Sequence, residues 1–519
     1  MRRGLIIAML LAFGFANAQE KTAFSKEEQR NVEDAREFFE LEDYVVVKEL
    51  LSPVILMNAD NAELQYMLGV ALFHLPNDHH KSFGYLEKAL NLGNEKARYY
   101  YASVLFEKEN IKEAKRQFLL VRDSAQGEKV QRQLAYLAVA DSLMQNPQTV
   151  VLQNLGSTIN SGFSEHTPLV SWDDSLLFFT SRRPIDESAV TDFEDQFDEN
   201  IYFSKRSGNQ WQKAIPLPGN VNDILNEATV SLSPEADQML VFQTTRDLQS
   251  SDLFWANRKD ESWKLGSKLP KSINSSGIET GAALNSNQNT FIISSNREGG
   301  FGGFDLYRVV QFGNGEFSEP VNLGSTVNTE WDEQAPFLLP DDRTLYFASN
   351  RKGSMGGLDI FSTKKLDANL WTEPTNLGYP INSTQNDAHL SVSWKTGQAY
   401  FTRNKTETPG DYYIYTANLP GFDVPATIFK IQISNDDILN FNALSVIFAK
   451  EKVSKEGVFI ANYRVGVKGA FLVALLPGES GVLRIEADGF QLFEKSLSFE
   501  PGSGIQEFVL PIKLTSIAK

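Results

Sequence analysis

The sequence contains no cysteine, and this absence excludes disulfide bonds, thiolate metal sites and a cysteine nucleophile. Histidine is scarce too, with five residues in a chain of 519, and none belongs to an HExxH zinc motif. Basic residues are outnumbered, because 49 Lys and Arg face 66 Asp and Glu and leave a net charge of −17. Such a charge argues against nucleic acid or an anionic membrane surface as a partner. We therefore expect a fold that depends on hydrophobic packing alone.

Long hydrophobic runs are also missing, and the one marked run is short. Arg2-Arg3 precede the segment LIIAMLLAFGF, which is roughly half of the ~20 residues that a transmembrane helix needs. Ala16-Asn17-Ala18 follows. A basic start, a short apolar run and an A-x-A site predict a signal peptide over residues 1–18, cleaved before Gln19. We expect an exported protein with no transmembrane segment; an uncleaved N-terminal anchor is the alternative.

One pattern of residues occurs five times between residues 165 and 403. Each copy has an acidic residue, a short apolar strand, a turn, a second apolar strand and then Ser/Thr-x-Arg or a close variant. The copies begin at spacings of roughly 50–60 residues, and a period near 50 with several short strands predicts the blades of a β-propeller. The acidic residues are Glu165, Glu227, Glu279, Glu333 and Asp387, and the blade arginines are Arg182, Arg246, Arg297, Arg351 and Arg403.

Each copy continues through a polar or Gly-rich link, an aromatic strand and a segment that ends in Asn, which makes four strands per unit. Residues 150–160, VVLQNLGSTIN, precede the first copy and closely match VNLGSTVN at 321–328. The fifth copy lacks such a segment, so we expect the N-terminal one to supply its missing strand and close the ring. The prediction is a propeller over 147–422 with five blades; a sixth, degenerate unit in 184–200 is the alternative.

The regions on either side of the repeats have different patterns. Between residues 19 and 146, apolar and aromatic residues recur at helical spacing, and Leu68-Gly69 and Tyr101-Ala102 are related by a period of roughly 34 residues. This predicts helical pairs of the tetratricopeptide type, which either bind a partner in a groove or brace the propeller. Residues 423–519 alternate between apolar and polar positions, which predicts a small β-sandwich.

These motifs resemble known families. The Ser-x-Arg, Gly-Gly-x-Asp and NLGxx[IV]N segments resemble the WD40-like propeller repeat of the TolB type, and Ala487-Asp488-Gly489-Phe490 resembles a segment of carboxypeptidase-regulatory, transthyretin-like domains. The order of the regions is similar to that of multidomain periplasmic proteins of Bacteroidota, which are related to OmpA-family and type IX secretion accessory proteins. Several of those end in an OmpA-like domain, whereas this sequence stops at PIKLTSIAK, so the resemblance implies no direct peptidoglycan-binding module.

No catalytic motif is visible in the sequence. There is no GxSxG segment and no phosphate-binding glycine loop with a lysine, and we therefore predict neither catalytic residues nor a cofactor. Asp305 and Asp359 stand just before strands, where a metal site is one interpretation and hydrogen bonding within a turn is the favoured one. The sequence thus predicts a protein that is not an enzyme and has no metal site.

The repeated acids have two interpretations. They ring one mouth of the propeller channel and hold a cation or a basic peptide, or each carboxylate meets its blade arginine or backbone donors. The acidic insertion from Pro184 to Glu199 is either a solvated loop or a docking site. The resemblance implies a periplasmic scaffold that binds cell-envelope proteins, as part of an outer-membrane or type IX secretion complex. The alternatives are a glycan- or peptide-binding sensor or enzyme that uses the channel, and a subunit of a nutrient-uptake complex.

Overall fold

The computed structural model describes the chain from residue 24 onward in two compact units. One unit is Met1–Ala102 with Leu120–Asp123, and the other is Ser103–Leu119 with Ser124–Lys519. The predicted signal peptide at 1–18 lies outside the described residues, as does the cleavage site before Gln19. The other stretches outside the description are 123–125, 192–195, 224, 245–250, 368–369, 406–410, 421, 423–425, 435–443, 452–458, 464, 467–468, 503–504 and 518–519.

The first unit is built from helices, and capping residues mark the starts of the first three. Ser25 and Glu28 form a reciprocal capping box, and Asp43 and Asn61 cap the next two helices with their side chains. A Cβ atom added to Gly69 would lie 3.0 Å from Leu86, so this small residue lets two helices pack closely. The helices are α1 (Lys26–Glu40), α2 (Tyr44–Met57), α3 (Ala62–His74) and α4 (His79–Asn91), followed by α5 (Arg98–Glu107), which runs into the second unit.

The second unit continues with two helices and then five antiparallel sheets of four or five strands each. Helix α6 spans Ile111–Phe118 and α7 spans Gly127–Gln145. The sheets are β2 (Glu165–Val170), β3 (Leu176–Ser181), β4 (Asn200–Ser207), β5 (Gln210–Trp211) and β6 (Ile215–Pro216); β7 (Glu227–Leu232), β8 (Gln238–Thr244), β9 (Ser251–Lys259) and β10 (Ser262–Lys268); β11 (Glu279–Leu284), β12 (Thr290–Ser295), β13 (Asp305–Val310) and β14 (Val321–Asn322); β15 (Glu333–Leu338), β16 (Thr344–Ser349), β17 (Asp359–Asp367), β18 (Leu370–Trp371) and β19 (Thr375–Asn376); and β20 (Asp387–Val392), β21 (Gln398–Asn404) and β22 (Tyr412–Asn418) with β1 (Gln153–Asn154).

The first strands of the five sheets touch one another in a closed cycle, β2 to β7, β11, β15, β20 and back to β2, so they surround a central channel as the blades of a propeller do. The asparagine that ends each repeat has a structural task. Its side chain accepts a hydrogen bond from the backbone N–H of a third-strand residue and donates one to the carbonyl of the same residue. The pairs are Asn222 with Ile201, Asn274 with Leu253, Asn328 with Leu306, Asn382 with Ile360, and Asn160 with Ile414.

The last of these pairs joins the two ends of the repeat array. Strand β1, in the segment predicted to close the ring, pairs antiparallel with β22. The side chain of Asn160, from the N-terminal copy, accepts a hydrogen bond from the Ile414 N–H of the last blade at 2.8 Å and donates one to the Ile414 carbonyl at 2.9 Å. The match between residues 150–160 and the blade repeat is therefore explained by the same backbone clamp.

The C-terminal part consists of two further sheets that share one hydrophobic core. Its buried members include Phe448, Phe471, Val473, Leu483 and Ile485. One sheet has the order β26 (Ala470–Leu475), β23 (Ala426–Ile433) and β29 (Ile505–Ile512), and the other has the order β25 (Phe459–Tyr463), β24 (Ser445–Glu451), β27 (Ser480–Glu486) and β28 (Phe493–Ser498).

The opposite face of the three-stranded sheet packs against the propeller. Ile428 of β23 belongs to a buried cluster with Trp394 and Val392 of the last blade. The Lys430 ammonium lies 4.3 Å from the centre of the Trp172 ring. One face of this sheet thus completes the C-terminal core, and the other face covers an end of the channel.

Candidate functional site

The repeated acidic residues lie buried inside their own blades. Glu333 is typical: it is 0% exposed, and its carboxylate accepts hydrogen bonds from the Thr329 backbone N–H at 2.8 Å, the Thr329 hydroxyl at 2.7 Å and the Ser349 hydroxyl at 2.9 Å. Equivalent bonds to the residue four positions earlier are made by Glu165, Glu279 and Asp387. These groups connect the first and second strands of a blade, which is a structural task.

Three of the predicted arginines complete this network. Arg297 binds Glu279 at 3.1 Å, Arg351 binds Glu333 at 3.1 Å, and Arg403 binds Asp387 at 2.6 Å. Each of these guanidinium groups also donates to a backbone carbonyl at the end of the preceding blade, namely Ile273, Val327 and Ile381. The network therefore joins neighbouring blades. Burial raises the pKa of Glu333 and of Asp387, although the paired arginine opposes this shift in each.

The prediction that Arg182 partners Glu165 is wrong. Arg183 makes that contact, at 3.0 Å, because the register pairs Glu165 with Ser181. In the third and fourth blades, too, the arginine that binds the acid stands two residues after the serine opposite it. Arg182 points elsewhere and donates to Glu199 at 2.8 Å. The predicted Arg246 lies outside the described residues.

The second blade has a different arrangement around its acid. Glu227 accepts from Gln243 at 3.1 Å and from the Asp223 backbone N–H at 3.2 Å. Burial, followed by the hydrogen bond to Asp223, raises the pKa of Glu227 to about 9, so this carboxyl is protonated at neutral pH.

The two aspartates considered as metal ligands make turn hydrogen bonds. Asp305 accepts from the backbone N–H of Phe301 at 2.6 Å and of Gly302 at 3.2 Å. Asp359 accepts from the Met355 N–H at 2.8 Å and from Asn376 at 2.6 Å. No group of three or more His, Asp or Glu in the described parts of the chain has the arrangement needed to hold a metal ion.

A cavity of about 470 Å³ occupies the end of the channel at which the first strands begin. Its walls differ in chemistry. The first and last blades present a polar wall, formed by His166, Arg182, Glu199, His389 and Tyr412. The other blades present a mostly apolar wall, formed in the main by Ala228, Val230, Phe242, Ala282, Ala335, Pro336 and Phe337.

Glu199 is the centre of the polar wall. Its Oε1 atom lies 2.8 Å from Nη2 of Arg182 and 3.2 Å from Nε2 of His166. Burial acts to raise the pKa of this carboxyl, but His166 and Arg182 together outweigh that effect and hold it at about 2. The cavity therefore contains an ionised carboxylate, and the guanidinium that binds it compensates its charge.

Aromatic and imidazole rings stand beside this carboxylate. The ring centres of His166 and His389 are 5.9 Å apart, and those of His389 and Tyr412 are 6.1 Å apart. Nδ1 of His389 lies 2.9 Å from the Thr402 hydroxyl, which orients the ring. Burial, followed by repulsion from His166, lowers the pKa of His389 to about 3, so this imidazole is neutral at neutral pH.

β-Bulges explain why these side chains reach the cavity. The pairing of β2, β15 and β20 with the following strand shifts register after the second residue, and Thr167, Ala335 and His389 there have φ values of 48°, 47° and 52°. A bulge with left-handed backbone redirects the side chains around it. The sequence did not predict His166, Glu199, His389 and Tyr412 as a site. A signal present in the sequence was that a histidine stands one or two residues after the repeated acid in two copies, at His166 and His389.

The channel narrows below this cavity and is covered at its far end. Five residues line both the cavity and a lower chamber of about 80 Å³, namely Leu169, Val230, Ala282, Pro336 and Phe337. Ile428, Leu472 and Ala474 from β23 and β26 of the C-terminal sheet line the lower chamber. The C-terminal sheet therefore lies across the end of the channel opposite the cavity.

The comparisons with known proteins give distant structural similarities. No protein-family model matches the sequence, and no curated protein matches it. Solved structures similar to this chain include TolB from Acinetobacter baumannii, at 17% identity and a TM-score of 0.30 over 50% of this chain and 55% of that one. They also include endo-arabinase from Bacteroides thetaiotaomicron, at 11% identity and a TM-score of 0.33 over 50% of this chain and 95% of that one. α-L-Arabinofuranosidase from Lactobacillus brevis matches at 11% identity and a TM-score of 0.33, over 51% and 94% of the two chains.

The prediction that this chain is not an enzyme is contradicted by these matches. Solved structures named as arabinase, sialidase and arabinofuranosidase are similar to it, so the propeller gives no ground for excluding catalysis. In the described parts of the chain, a helical region precedes five antiparallel sheets whose first strands form a closed cycle. Among the described residues, no helix is both long and apolar enough to cross a membrane.

Proposed function

We propose that this protein binds a glycan in the open cavity of its propeller. The observation that carries the proposal is the polar wall, in which ionised Glu199, held by Arg182 and His166, stands beside the His389 and Tyr412 rings and faces an apolar wall. The cavity volume of about 470 Å³ lies within the range typical of sites that take small ligands.

The balance of charge favours a glycan over a charged ligand. Arg182 compensates the charge of Glu199, and the pKa of His389, lowered by burial, leaves this ring neutral. A pyranose ring offers hydroxyl groups that pair with a carboxylate and a guanidinium, and it offers apolar C–H faces that pack on flat rings. A peptide end carries a net charge that this wall does not balance.

Hydrolysis of the glycan is a reaction to be measured together with binding. Most glycoside hydrolases use two carboxyl groups on either side of the scissile bond. Glu199 has a low pKa and is therefore ionised, as a carboxylate nucleophile must be. Glu279 also borders the cavity, and its carboxylate already accepts bonds from Ser275, Ser295 and Arg297. His166, in contact with Glu199, is a further group for proton transfer.

A glycan array probed with the full chain tests the proposal. We expect Glu199→Gln and His166→Ala each to lower the affinity for the bound glycan at least tenfold. The matched control is Glu494→Gln, which removes an exposed ion pair with Arg484 of 2.7 Å on the C-terminal sheet and should leave binding unchanged. Mass spectrometry of the incubated glycan then detects turnover. Absence of any glycan signal, or equal signals from all variants, would refute the proposal.

A second candidate function is that of an adaptor that binds cell-envelope proteins. Exposed apolar side chains on the helical region favour this role. Leu56 and Met57 at the end of α2 are 79% and 78% exposed. We propose that residues 19–146 form tetratricopeptide-like helices, 147–422 a five-bladed propeller and 423–519 a carboxypeptidase-regulatory-like sandwich. In this proposal the protein is exported to the periplasm and joins an outer-membrane complex, as type IX secretion accessory proteins do. Cross-linking in cells with Leu56→Glu tests this role: loss of cross-linked envelope proteins is expected, and an unchanged set would contradict it.

A further inference from the structure

We infer that the cavity receives the end of a glycan chain and excludes a chain that passes through the propeller. This inference rests on the proposed function and adds the part of the glycan that is recognised. A propeller channel that is open at both ends allows a linear polymer to thread along its axis. Here the C-terminal sheet lies across one end, so a ligand that enters must also stop inside.

The cover over the lower end is packed and paired with the propeller. Ile428 is 1% exposed and lies in a cluster with Trp394, while Leu472 and Ala474 pack against the same cluster. Charged groups at the edge add polar contacts. The Lys430 ammonium lies 4.3 Å from the Trp172 ring centre, and Lys395 of the last blade lies 3.8 Å from Glu507 of the sheet. The sheet thus closes the channel through a buried contact between the propeller and the C-terminal part.

The lower chamber is much smaller than the cavity above it. Its volume is about 80 Å³, against about 470 Å³ for the cavity. The constriction above it is formed by side chains from the first strands, including Leu169 and Phe337. The terminal sugar of a bound glycan therefore stops at this constriction, beside the polar wall. The rest of the chain leaves past Gln196, Asn226 and Ile278 at the rim.

The chain's lack of cysteine allows a direct test of the closed end, because a single introduced thiol is the only site for a thiol reagent. Thr280→Cys places the thiol in the open cavity, and Ser231→Cys places it in the lower chamber; both positions are half-buried. We expect N-ethylmaleimide to modify Thr280→Cys at least 100-fold faster than Ser231→Cys in the folded protein. In urea the two rates should be equal, which controls for reactivity. Equal rates in the folded protein would overturn the closed end.

The second arm uses glycans of one composition, in linear and cyclic forms. A cyclic oligosaccharide has no end, so we expect it to bind at least 100-fold more weakly than the linear form. Equal binding of the cyclic form would overturn the inference while leaving the proposed function intact. If no linear glycan binds, or peptides alone bind, while Ser231→Cys is protected, the proposed function is refuted and the inference with it. If a linear glycan binds but Ser231→Cys reacts rapidly, chain-end recognition alone is refuted.

Discussion

Glu333→Ala should strongly destabilise the propeller and leave the protein's charged surface unchanged. The carboxylate is 0% exposed and binds Arg351, whose side chain is 8% exposed, at 3.1 Å. Its removal leaves a buried guanidinium without its counter-charge. It also takes a hydrogen-bond acceptor from the Thr329 N–H and from the Ser349 hydroxyl.

The magnitude follows from the loss of one partner of a buried ion pair, which costs on the order of 3–5 kcal/mol. The chain has seven tryptophans, all between residues 172 and 394, so tryptophan fluorescence reports on the propeller. With a urea m-value of about 3 kcal/mol/M for a region of this size, the unfolding midpoint should fall by about 1 M or more.

The control is Glu494→Ala, which removes a pair with Arg484 at 2.7 Å whose side chains are 46% and 52% exposed. An exposed pair contributes about 0–1 kcal/mol, so the midpoint should scarcely move. If Glu333→Ala shifts the midpoint no more than Glu494→Ala does, the acid is not a structural link between blades, and the account of the repeat is wrong.

Three further results are expected from single positions. The pKa of His389, about 3 when folded against an ordinary value of 6.5, means that the unfolded chain takes up the proton first, so stability is lost as pH falls from 6.5 towards 3. At pH 4.5 the free energy of unfolding in urea should be about 2–3 kcal/mol lower than at neutral pH, and His389→Gln should abolish this difference. The same pH dependence in the variant would contradict the role of His389. Asn160→Ala removes both hydrogen bonds to Ile414 and should lower the free energy of unfolding by about 2–4 kcal/mol. Limited proteolysis should then cut the last blade early. Unchanged protection of that blade would show that residues 150–160 are only a linker. Tyr136→Phe removes the 2.8 Å hydrogen bond to the Asn350 carbonyl and should lower the free energy of unfolding in urea by about 1 kcal/mol. No measurable change would contradict a structural role for α7.

The repeat could be predicted from the sequence because the structural contacts of its residues are local and recur from blade to blade. An acid, a Ser-x-Arg and a terminal Asn each bond to a backbone or side-chain partner at a fixed offset, as Glu279, Arg297 and Asn274 do. The closing segment at 150–160 was predictable for the same reason, since it repeats the Asn clamp outside the array.

The cavity could not be predicted in the same way, because its residues come from distant positions and depend on backbone irregularities. His166 and His389 are 5.9 Å apart between ring centres although more than 200 positions separate them in the chain. His389 lies on a bulge with φ of 52°, which alternation in a strand does not predict. The prediction of Arg182 instead of Arg183 was wrong for a related reason. The two arginines are neighbours in the chain, but Arg183 binds Glu165 inside the blade whereas Arg182 binds Glu199 in the cavity.

The most direct test of the central claim is a crystal structure of the full chain with the glycan that gives the strongest array signal. We expect the terminal sugar to lie in the propeller cavity, within hydrogen-bond distance of Glu199 and against the His389 ring, with the rest of the glycan leaving at the rim. A glycan bound on the outer strands, or on the helical region with the cavity empty, would contradict it.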